Sequence, residues 1–548
     1  MAFSNVDRDK TTSFLSSERF DVLVIGGGIT GASIALDAAS RGMKTAVVDM
    51  QDFAAGTSSQ PITLTDDGLH YLQYREAKVA SEINRERAIL CKNAPHVVKP
   101  ENILLPIYQY GHLNKWHTGI GLTIYDRLTG VKKKKRHKML SKLETLEKEP
   151  MLSKNQLVGA GYYIEYNIDH ARLTIEVLKK AVQLGATALN YMKVVQFIYN
   201  EQGQVIGVET EDQITGENVT IYATKIVNAT GPWHDVVKEL DQSQQEKPLN
   251  LMKRLYLVID QSKLPLKQAL YFEHTDGRMI LVIPKENKIH IETTDIPYND
   301  DVANLVLEEA DCLYLLDAIN QAFPKVKLSI NDVVSSWARV STLYPARGKT
   351  ANKSSNKDGI TCTKSGLISV TGGKLTSYRN IAEKVIDRIA RQFKKENGIL
   401  YSSSETKSIA IAGGEVDGSI GFDRFKQQQL HQTDLPISHD KKALYIDRYG
   451  KNVEKIWVNY TKYYEEANHF QVDPLVFAEL KYSLEEESIY MPLDFFDRRT
   501  GTVYFDSKAV MENGIGVLDF LSEQLYWNKE EIAYYKRELQ LACQQIKR

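Results

Sequence analysis

The sequence is poor in cysteine. Its 548 residues include four cysteines, Cys91, Cys312, Cys362 and Cys543, and no two of them have the C-x-x-C spacing of a metal or redox motif. This scatter argues against a disulfide framework and against a cysteine metal site, and it suits a reducing cytoplasm. We therefore expect no metal in this protein.

The sequence also lacks an excess of charge of either sign and a long apolar run. It has 69 lysines and arginines against 70 aspartates and glutamates, a balance that does not call for a nucleic-acid partner. No uninterrupted apolar run reaches the length of a membrane span. The first 20 residues contain no apolar core, so we expect no signal peptide. We expect a cytoplasmic protein that is soluble or peripheral at a membrane.

A glycine-rich segment between two apolar strands is the most informative feature present. Residues 20–49 read FDVLVIGGGITGASIALDAASRGMKTAVVD, with Gly26, Gly28 and Gly31 at G-x-G-x-x-G spacing. The apolar run 22–25 predicts a strand buried on both faces, followed by a helix and by a second buried strand at residues 45–48. Strand, glycines, helix and strand in this order are typical of a dinucleotide-binding unit.

Each part of this unit has a physical role. Gly26 permits a tight turn, Gly28 lets a pyrophosphate approach the backbone, and Gly31 lets the helix pack closely on the strand. The N-terminus of the helix offers free N–H groups and the positive end of its dipole to phosphates. Asp49, at the end of the second strand, can accept a hydrogen bond from a ribose hydroxyl. A glycine-rich turn without a ligand remains the alternative.

The length predicts two or three domains. Two further segments, KIVNATGPW at residues 225–233 and SGLISVTGGKLT at residues 365–376, repeat the pattern of a buried strand that leads into glycines. Residues 250–330 are strand-rich, and the chain after about residue 400 has the pattern of helices. We predict a discontinuous nucleotide-binding domain (18–90, 155–245 and 330–398), a sheet-based substrate domain (91–154 and 246–329) and a C-terminal helical domain (399–548).

Nearly the whole chain resembles the FAD-dependent glycerol-3-phosphate dehydrogenases and oxidases. The glycine-rich unit, Asn-Ala-Thr-Gly-Pro-Trp at 228–233 and Gly-Gly-Lys-Leu-Thr at 372–376 carry the resemblance, and other matching stretches lie at 51–59, 139–146, 162–166, 276–279, 293–295 and 498–501. The resemblance implies an α/β fold, α+β overall, with a glutathione-reductase-like FAD-binding Rossmann domain, a substrate domain over the flavin and a helical C-terminal domain. It implies oxidation of sn-glycerol 3-phosphate to dihydroxyacetone phosphate, with hydride transfer to the flavin and electron transfer to quinone or oxygen.

The resemblance also implies site residues. The expected cofactor-binding residues are Gly26, Gly28, Ile29, Thr30, Gly31, Asp49, Thr57, Ser58, Ser59, Thr230, Gly231, Gly372, Gly373, Lys374, Leu375 and Thr376. The candidate catalytic residues are Lys374, Asp66, His70 and Arg278. A small-molecule substrate is expected, and the resemblance is compatible with peripheral membrane contact and with a homodimer.

The chain departs from the family pattern where the substrate should bind. The family reads R-S-T-K-L-(I/V)-H-G-G-L-R-Y-L where this chain reads QPITLTDDGLHYL at residues 60–72. Lys374 and Arg278 are retained. The replaced positions are Gln60 for arginine, Thr63 for lysine, Asp66 for histidine, Asp67 for glycine, His70 for arginine, Ser341 for arginine and Glu292 for glycine.

The replacements at Gln60, Thr63, His70 and Ser341 remove positive charge, and Asp66 and Asp67 add two carboxylates beside the same site. Losing one buried partner of a bound anion typically costs about 2–5 kcal/mol, so we infer that the FAD site is kept while the phosphate-alcohol site is lost or rebuilt. Asp66 is either a new base or a residue of an ordinary turn, and His70 is either a base or a packing residue. Arg254 and Arg339, where the family has glycine, either restore positive charge or fill the pocket.

Three functions therefore remain open. The chain is a glycerol-3-phosphate dehydrogenase, a flavin enzyme that acts on a neutral or cationic alcohol or amine, or a non-catalytic paralogue that binds FAD. A basic run at residues 132–138, KKKKRHK, suits either an anionic membrane surface or a solvated loop.

Overall fold

The computed structural model describes residues 2–59, 63–64, 77–109, 111, 118–123, 136–242, 249–285, 287–294, 296–300, 305, 307–343, 359–371, 375–432 and 434–546. Statements about the structure concern these residues.

The described chain alternates strands and helices up to residue 397 and is helical after residue 418. The strands are β1 (Arg19–Ile25), β2 (Thr45–Val48), β3 (Thr63–Leu64), β4 (Val98–Tyr108), β5 (Lys138–Ser141), β6 (Leu157–Ile168), β7 (Thr187–Leu189), β8 (Met192–Tyr199), β9 (Val205–Asp212), β10 (Asn218–Asn228), β11 (Asn250–Asp260), β12 (Ala269–Glu273), β13 (Met279–Lys285), β14 (Lys288–Thr293), β15 (Ile296–Tyr298), β16 (Val333–Leu343), β17 (Gly359–Cys362) and β18 (Ile368–Thr371). The α-helices are α1 (Arg8–Ser17), α2 (Ile29–Ser40), α3 (Ala77–Asn93), α4 (Lys142–Lys148), α5 (His170–Gln183), α6 (His234–Leu240), α7 (Glu309–Ala322), α8 (Tyr378–Asn397), α9 (Gly418–Gln432), α10 (His439–Tyr449), α11 (Val453–Lys462), α12 (Tyr464–His469), α13 (Pro474–Glu486), α14 (Thr502–Phe505), α15 (Ser507–Gln524) and α16 (Lys529–Ile546).

The first sheet has the predicted nucleotide-binding strand at its centre. Its order is β17-β18-β10-β1-β2-β7, and β18, β10, β1, β2 and β7 run parallel. Parallel strands are buried on both faces, which explains why residues 22–25 and 45–48 are uninterrupted apolar runs. Helices α2, α5 and α8 pack on one face of the sheet, and the apolar side chains of β8 and β9 pack on the other. The carboxyl ends of β1, β10 and β18 therefore meet at one edge.

The second sheet has the order β15-β11-β14-β13-β12-β4-β6-β3, with β16 paired to β11 and β5 to β6. One face of its β11 and β14 region packs against α7. Residues 250–330 are strand-rich as predicted, since β11–β15 lie there, but residues 309–322 form a helix that was not predicted. Its apolar residues Cys312, Leu315, Leu316 and Ile319 recur at helical spacing and bury that face of the sheet.

The other face of the same sheet carries Tyr256, Val258 and Trp337, and it packs against the C-terminal helices. Ser335 of β16 donates a hydrogen bond of 2.6 Å to the carbonyl of Tyr504 in α14. The helical C-terminal region therefore covers part of the second sheet. No described helix is both long enough and apolar enough to cross a lipid bilayer.

The predicted elements around the glycine-rich unit are confirmed. The second strand lies at Thr45–Val48 as predicted, the helix that follows the glycines is α2, and the chain after residue 400 is helical. The fold class is likewise confirmed, with a Rossmann-type parallel sheet, a second sheet and a helical C-terminal region. The domain boundaries stay a prediction.

Candidate functional site

The turn between β1 and α2 is built for close backbone approach. Gly26 has φ +105°, and a Cβ there would lie 2.6 Å from the carbonyl oxygen of Ala229 on the neighbouring strand. A Cβ on Gly31 would overlap the carbonyl oxygen of Gly26. Gly28 is the N-cap residue of α2 and has no side chain that could bond to the helix. The groups that the N-terminus of α2 presents to the turn are therefore backbone groups. Both steric roles predicted for Gly26 and Gly31 are present.

Asp49 closes this turn from the end of β2. Its Oδ2 accepts a hydrogen bond of 2.6 Å from the Gly27 N–H, and its Oδ1 accepts one of 2.9 Å from the Gln51 N–H. Burial raises the pKa of the Asp49 carboxyl to about 6, although the two backbone donors act in the opposite direction. The carboxylate is thus held rigidly beside the N-terminus of α2, where a ribose hydroxyl can reach it.

The loop at 57–59 joins the turn to β16 of the second sheet. The Ser58 hydroxyl accepts a hydrogen bond of 3.0 Å from the Ile29 N–H at the start of α2, next to the half-buried Thr30. The Thr57 hydroxyl donates a hydrogen bond of 2.9 Å to the carbonyl of Val340 in β16. The Ser59 hydroxyl donates to its own loop, at Gly56, over 2.8 Å. One short loop therefore contacts the helix terminus and β16.

The ends of β10 and β18 complete the same edge of the sheet. Thr230 donates a hydrogen bond of 2.7 Å to Asn228, and Gly231 follows with φ +56°. After β18, Leu375 packs on the core of the sheet. The Thr376 hydroxyl is buried and has no hydrogen-bond partner among the described residues.

This edge fits a dinucleotide. The two glycine positions exclude side chains, and a helix N-terminus and a carboxylate face the turn. This region brings together Gly26, Gly28, Ile29, Thr30, Gly31, Asp49, Thr57, Ser58, Ser59, Thr230 and Gly231. Leu375 packs on the core of the sheet, and Thr376 lines a cavity with Leu36 and Arg379. Gly372, Gly373 and Lys374 lie outside the described residues.

An ionic cluster next to Asp49 was not predicted from the sequence. Arg499 donates to both carboxylate oxygens of Asp52, at 2.7 and 2.9 Å, and Arg498 lies 2.5 Å from the same carboxylate. Arg498 also pairs with Asp494 at 2.6 Å. Burial opposes the charge on Asp52, but the two arginines outweigh it and lower the pKa of its carboxyl to about 2. The motif at residues 498–501 thus connects the C-terminal region to the loop after β2. The sequence does not reveal this contact, because the two segments meet only in the folded chain.

The face of β11 and β16 that the C-terminal region partly covers is aromatic and polar. Trp337 stacks on Tyr256, with ring centroids 5.3 Å apart and planes at 6°, and lies 4.3 Å from the Tyr504 ring. Arg339, on the same side of β16, donates a hydrogen bond to the Tyr504 hydroxyl. Burial disfavours the charge of Arg339, yet Tyr504 and Asp497 outweigh it and raise its pKa above the usual value.

Two polar residues on this face lie at positions where the resemblance implies other residues. Ser341, at the expected position of an arginine, has a buried hydroxyl with no hydrogen-bond partner among the described residues. Glu292 is directly opposite Tyr256, and its Oε2 lies 3.5 Å from Nε2 of the fully buried His290. This face of β11, β14 and β16 therefore differs in charge from the pattern that the resemblance implies.

The predicted catalytic residues are only partly described. The Arg278 guanidinium lies 3.4 Å from Asp276 and over the Tyr314 ring of α7. Its catalytic role stays a prediction. Asp66, His70 and Lys374 lie outside the described residues, as do Gln60 and Asp67.

Comparisons with known proteins agree with this arrangement. The family model for FAD-dependent oxidoreductases matches residues 21–379, and the model for the C-terminal domain of alpha-glycerophosphate oxidase matches residues 404–532. The chain is 44% identical over 549 aligned positions to the aerobic glycerol-3-phosphate dehydrogenase of Staphylococcus aureus strain USA300, covering 100% of this chain and 98% of that one.

Solved structures show the same relation. The glycerol-3-phosphate dehydrogenase of Bacillus halodurans, solved with FAD, superposes with a TM-score of 0.86 at 39% identity and covers 100% of this chain and 99% of that one. The L-alpha-glycerophosphate oxidase of Mycoplasma pneumoniae has a TM-score of 0.53 at 17% identity, covers 71% of this chain and 97% of that one, and shares the fold.

The fold and the glycine-rich edge define an FAD-dependent oxidoreductase. Over its full length, the chain belongs to the family of FAD-dependent glycerol-3-phosphate dehydrogenases. The predictions of family, enzyme class and FAD as cofactor are confirmed.

Proposed function

We propose that this enzyme oxidises carbon 2 of a small phosphorylated alcohol, with sn-glycerol 3-phosphate as the first candidate substrate and dihydroxyacetone phosphate as the product. The observation that carries the proposal is the cofactor edge at residues 26–31, 49 and 57–59, next to strand β16, which holds Arg339. The relatives of similar length, named as glycerol-3-phosphate dehydrogenases, support it.

Different residues of the cofactor edge would hold different parts of FAD. When FAD is bound, its flavin supplies the acceptor for the hydride from carbon 2. Gly26, Gly28 and the N-terminus of α2 would hold the pyrophosphate, and Asp49 would hold a ribose hydroxyl. Thr57 fixes the loop to Val340 and so fixes the distance between the cofactor edge and β16.

The substrate hydroxyl must lose a proton as the hydride leaves carbon 2. Asp66 and His70, at the family's histidine and arginine positions, are the proposed bases, and Lys374 is the proposed cation near the flavin. The replacements at Gln60, Asp66, His70 and Ser341 would weaken binding of a phosphate dianion at the positions that the family uses.

Activity is tested with purified holoenzyme and an artificial electron acceptor. We expect sn-glycerol 3-phosphate to drive reduction of the acceptor and sn-glycerol 1-phosphate to fail, because a site that orients carbon 2 distinguishes the two enantiomers. Turnover with an amine or a neutral alcohol alone would favour the second function named above. Reduction of the flavin by dithionite but by none of these substrates would favour a non-catalytic paralogue.

The variant Gln60→Arg, Asp66→His, His70→Arg and Ser341→Arg restores the family residues together. If the pocket alone has changed, this variant should oxidise sn-glycerol 3-phosphate with a lower KM than the wild-type enzyme. A variant that folds, binds FAD and gains nothing would show that residues outside these four positions also decide the substrate.

We further propose that the electrons leave the flavin to quinone or oxygen, and that the enzyme works as a homodimer at the inner face of the cell membrane. The basic run 132–138 would attract anionic lipid, with each basic residue contributing about 1 kcal/mol. Sedimentation with vesicles of anionic phospholipid, but not with neutral vesicles, is expected. Equal sedimentation with both would contradict the electrostatic contact.

A further inference from the structure

The loop after β2, residues 49–59, contacts the cofactor edge at both of its ends. Asp49 accepts a hydrogen bond of 2.6 Å from the Gly27 N–H. Ser58 accepts one of 3.0 Å from the Ile29 N–H at the start of α2. The loop therefore lies along the glycine-rich turn, and its position sets the shape of the cofactor edge.

Between these two ends, the loop carries a carboxylate whose hydrogen-bonding capacity is already used. Oδ1 of Asp52 accepts from Arg499 and from Asn190, both at 2.9 Å. Its Oδ2 accepts from Arg498 at 2.5 Å and from Arg499 at 2.7 Å. A carboxylate accepts about four hydrogen bonds, so the buried Asp52 side chain is an attachment point for the loop and not a group that binds a ligand.

The two arginines that hold Asp52 come from an uncommon local structure. Residues 494–499 form a short π-helix, and the Thr500 N–H donates a hydrogen bond of 3.0 Å to the carbonyl of Phe495. Single turns of this kind are rare and often lie at functional sites. Here the π-helix brings two consecutive arginines, Arg498 and Arg499, to one carboxylate.

Arg498 is fixed in place by two more carboxylates. It donates to Asp494 at 2.6 Å and to Asp497 at 2.9 Å. Burial disfavours the charge of Arg498, but Asp52, Asp497 and Asp494 outweigh it and hold its pKa well above the usual value. The arginine therefore stays charged, and its position relative to the loop is set by the C-terminal region.

The same C-terminal segment also contacts β16, the strand to which the end of the loop is bonded. The Tyr504 hydroxyl accepts a hydrogen bond from Arg339 of β16. The next residue of this strand, Val340, accepts a hydrogen bond of 2.9 Å from Thr57. Residues 494–504, which we call the C-terminal bridge, therefore contact the loop directly in its middle and, through β16, near its end.

We propose that the C-terminal bridge holds the loop 49–59 against bound FAD and so controls how fast the cofactor is released, with Asp52 and Arg498 as positioning residues. Release of FAD then requires the loop to move, and the buried ion pairs oppose that movement. This inference rests on the proposed function, because it takes the loop 49–59 as a border of the FAD site. It gives the C-terminal region a part in retaining the cofactor.

The test measures release of FAD from the purified holoenzyme after dilution, followed by the rise in flavin fluorescence. We expect Asp52→Asn to release FAD about 10- to 100-fold faster than the wild-type enzyme, because hydrogen bonds to a charged group are lost at the loop. Arg498→Met should act in the same direction. Arg498→Lys keeps the charge without the planar fork, so its release rate should lie between those of Arg498→Met and the wild-type enzyme.

Glu487→Gln is the matched control. The buried Glu487 carboxylate pairs with Arg172 of α5 at 2.6 Å, so it also connects the C-terminal region to the first sheet and its helices. Arg499 donates to the main-chain carbonyl of Glu487, which the substitution keeps. This variant should lose stability, as Asp52→Asn does, and should release FAD at the wild-type rate. Far-UV circular dichroism shows that each variant is folded.

The outcomes separate the inference from the proposed function. Release at the wild-type rate in Asp52→Asn and Arg498→Met, or equally fast release in Glu487→Gln, would overturn the role of the bridge. If Asp52→Asn does not fold, the comparison of Arg498→Met with Arg498→Lys carries the test.

Release of FAD is measured without substrate, so it is independent of turnover. Fast release in Asp52→Asn, from an enzyme that does not oxidise sn-glycerol 3-phosphate, would support the bridge and contradict the proposed function. Oxidation of sn-glycerol 3-phosphate together with unchanged release in the variants would do the reverse.

Discussion

At the scale of single residues, the cofactor edge contains two glycines, Gly26 and Gly31, whose positions leave no room for a side chain. It also contains one carboxylate, Asp49, whose ionisation lowers the stability of the fold. Asp49 is half-buried beside Gly27, and the burial of its carboxyl raises the pKa of this group from the usual 3.8 to about 6. A shift of this size corresponds to roughly 3 kcal/mol. For an acid whose pKa is higher in the folded state, this cost is fully present above pH 6 and is relieved as the pH falls from about 6 to 4.

Asp49→Asn should therefore change how stability depends on pH. Without FAD, the free energy of unfolding of the wild-type protein should gain up to about 3 kcal/mol from this group between pH 6 and pH 4, and the variant should lack that gain. Urea unfolding at a series of pH values measures the difference. Asp7→Asn, at an exposed ion pair with Lys10, is the control, and identical profiles for the Asp49 variant and wild type would contradict the prediction.

Gly31→Ala should abolish FAD binding, because its Cβ would overlap the Gly26 carbonyl oxygen. Flavin content after purification and reconstitution measures the effect. Gly42→Ala is the comparison: Gly42 has φ +82° with nothing within 4 Å of an added Cβ, so this change should cost about 1–2 kcal/mol of stability and leave flavin binding intact. A yellow Gly31→Ala protein with normal affinity would refute the steric role.

The sequence predicts individual residues well where a local motif requires them. Gly26, Gly31 and Asp49 are recognisable because their spacing along one strand–helix–strand unit fixes their geometry. The pairing of Asp52 with Arg499 joins residues 447 positions apart, and the contact of Arg339 with Tyr504 joins two domains. Such pairs depend on how the domains dock, and no local pattern encodes docking.

At the scale of elements, the turn at Asp494–Arg499 and helix α14 connect three parts of the molecule. Residues 494–499 form a short π-helix. Its two arginines form ion pairs with Asp52 in the loop after β2. Tyr504 of α14 accepts a hydrogen bond from Arg339 in β16. The buried strands were predictable from their apolar runs. Helix α7 was not predicted because the segments that flank it show the alternation of apolar and polar residues that is typical of strands. Over a short apolar stretch, the helix and strand patterns cannot be told apart.

Asp52→Asn should loosen this connection. It leaves Arg498 and Arg499 without their shared carboxylate in a buried site, which typically costs about 3–5 kcal/mol. Chemical unfolding at pH 7 measures the loss, and Lys508→Met, in an exposed pair with Glu512, should cost no more than about 1 kcal/mol. A loss as small as that of the control would show that the cluster does not hold the C-terminal region.

The same cluster predicts a dependence on acid. Burial opposes ionisation of Asp52, but the arginines lower the pKa of its carboxyl to about 2. Because this pKa lies below its usual value, the stability it contributes is present above about pH 4 and is lost as the pH falls towards 2. Asp52→Asn should therefore flatten the acid limb of the wild-type unfolding curve, and an unchanged limb would contradict this assignment.

At the scale of the whole molecule, a conserved architecture surrounds a site with altered charge. The two sheets and the helical region reproduce the fold of the Bacillus halodurans enzyme at a TM-score of 0.86. The cofactor edge keeps its glycines and Asp49, whereas the face of β11, β14 and β16 has Ser341, Glu292 and Arg339 at positions that depart from the family pattern. The whole-length resemblance made fold and cofactor predictable, but the effect of the replacements on substrate choice depends on side-chain placement across domains.

The central claim is that an intact FAD site adjoins a rebuilt site for a phosphorylated alcohol. Anaerobic titration of the purified yellow protein with sn-glycerol 3-phosphate, followed by the absorbance of the oxidised flavin, tests it most directly. We predict bleaching at saturating substrate, with inorganic phosphate competing for the same site. An unchanged spectrum from a protein whose flavin is still reduced by dithionite would contradict the claim.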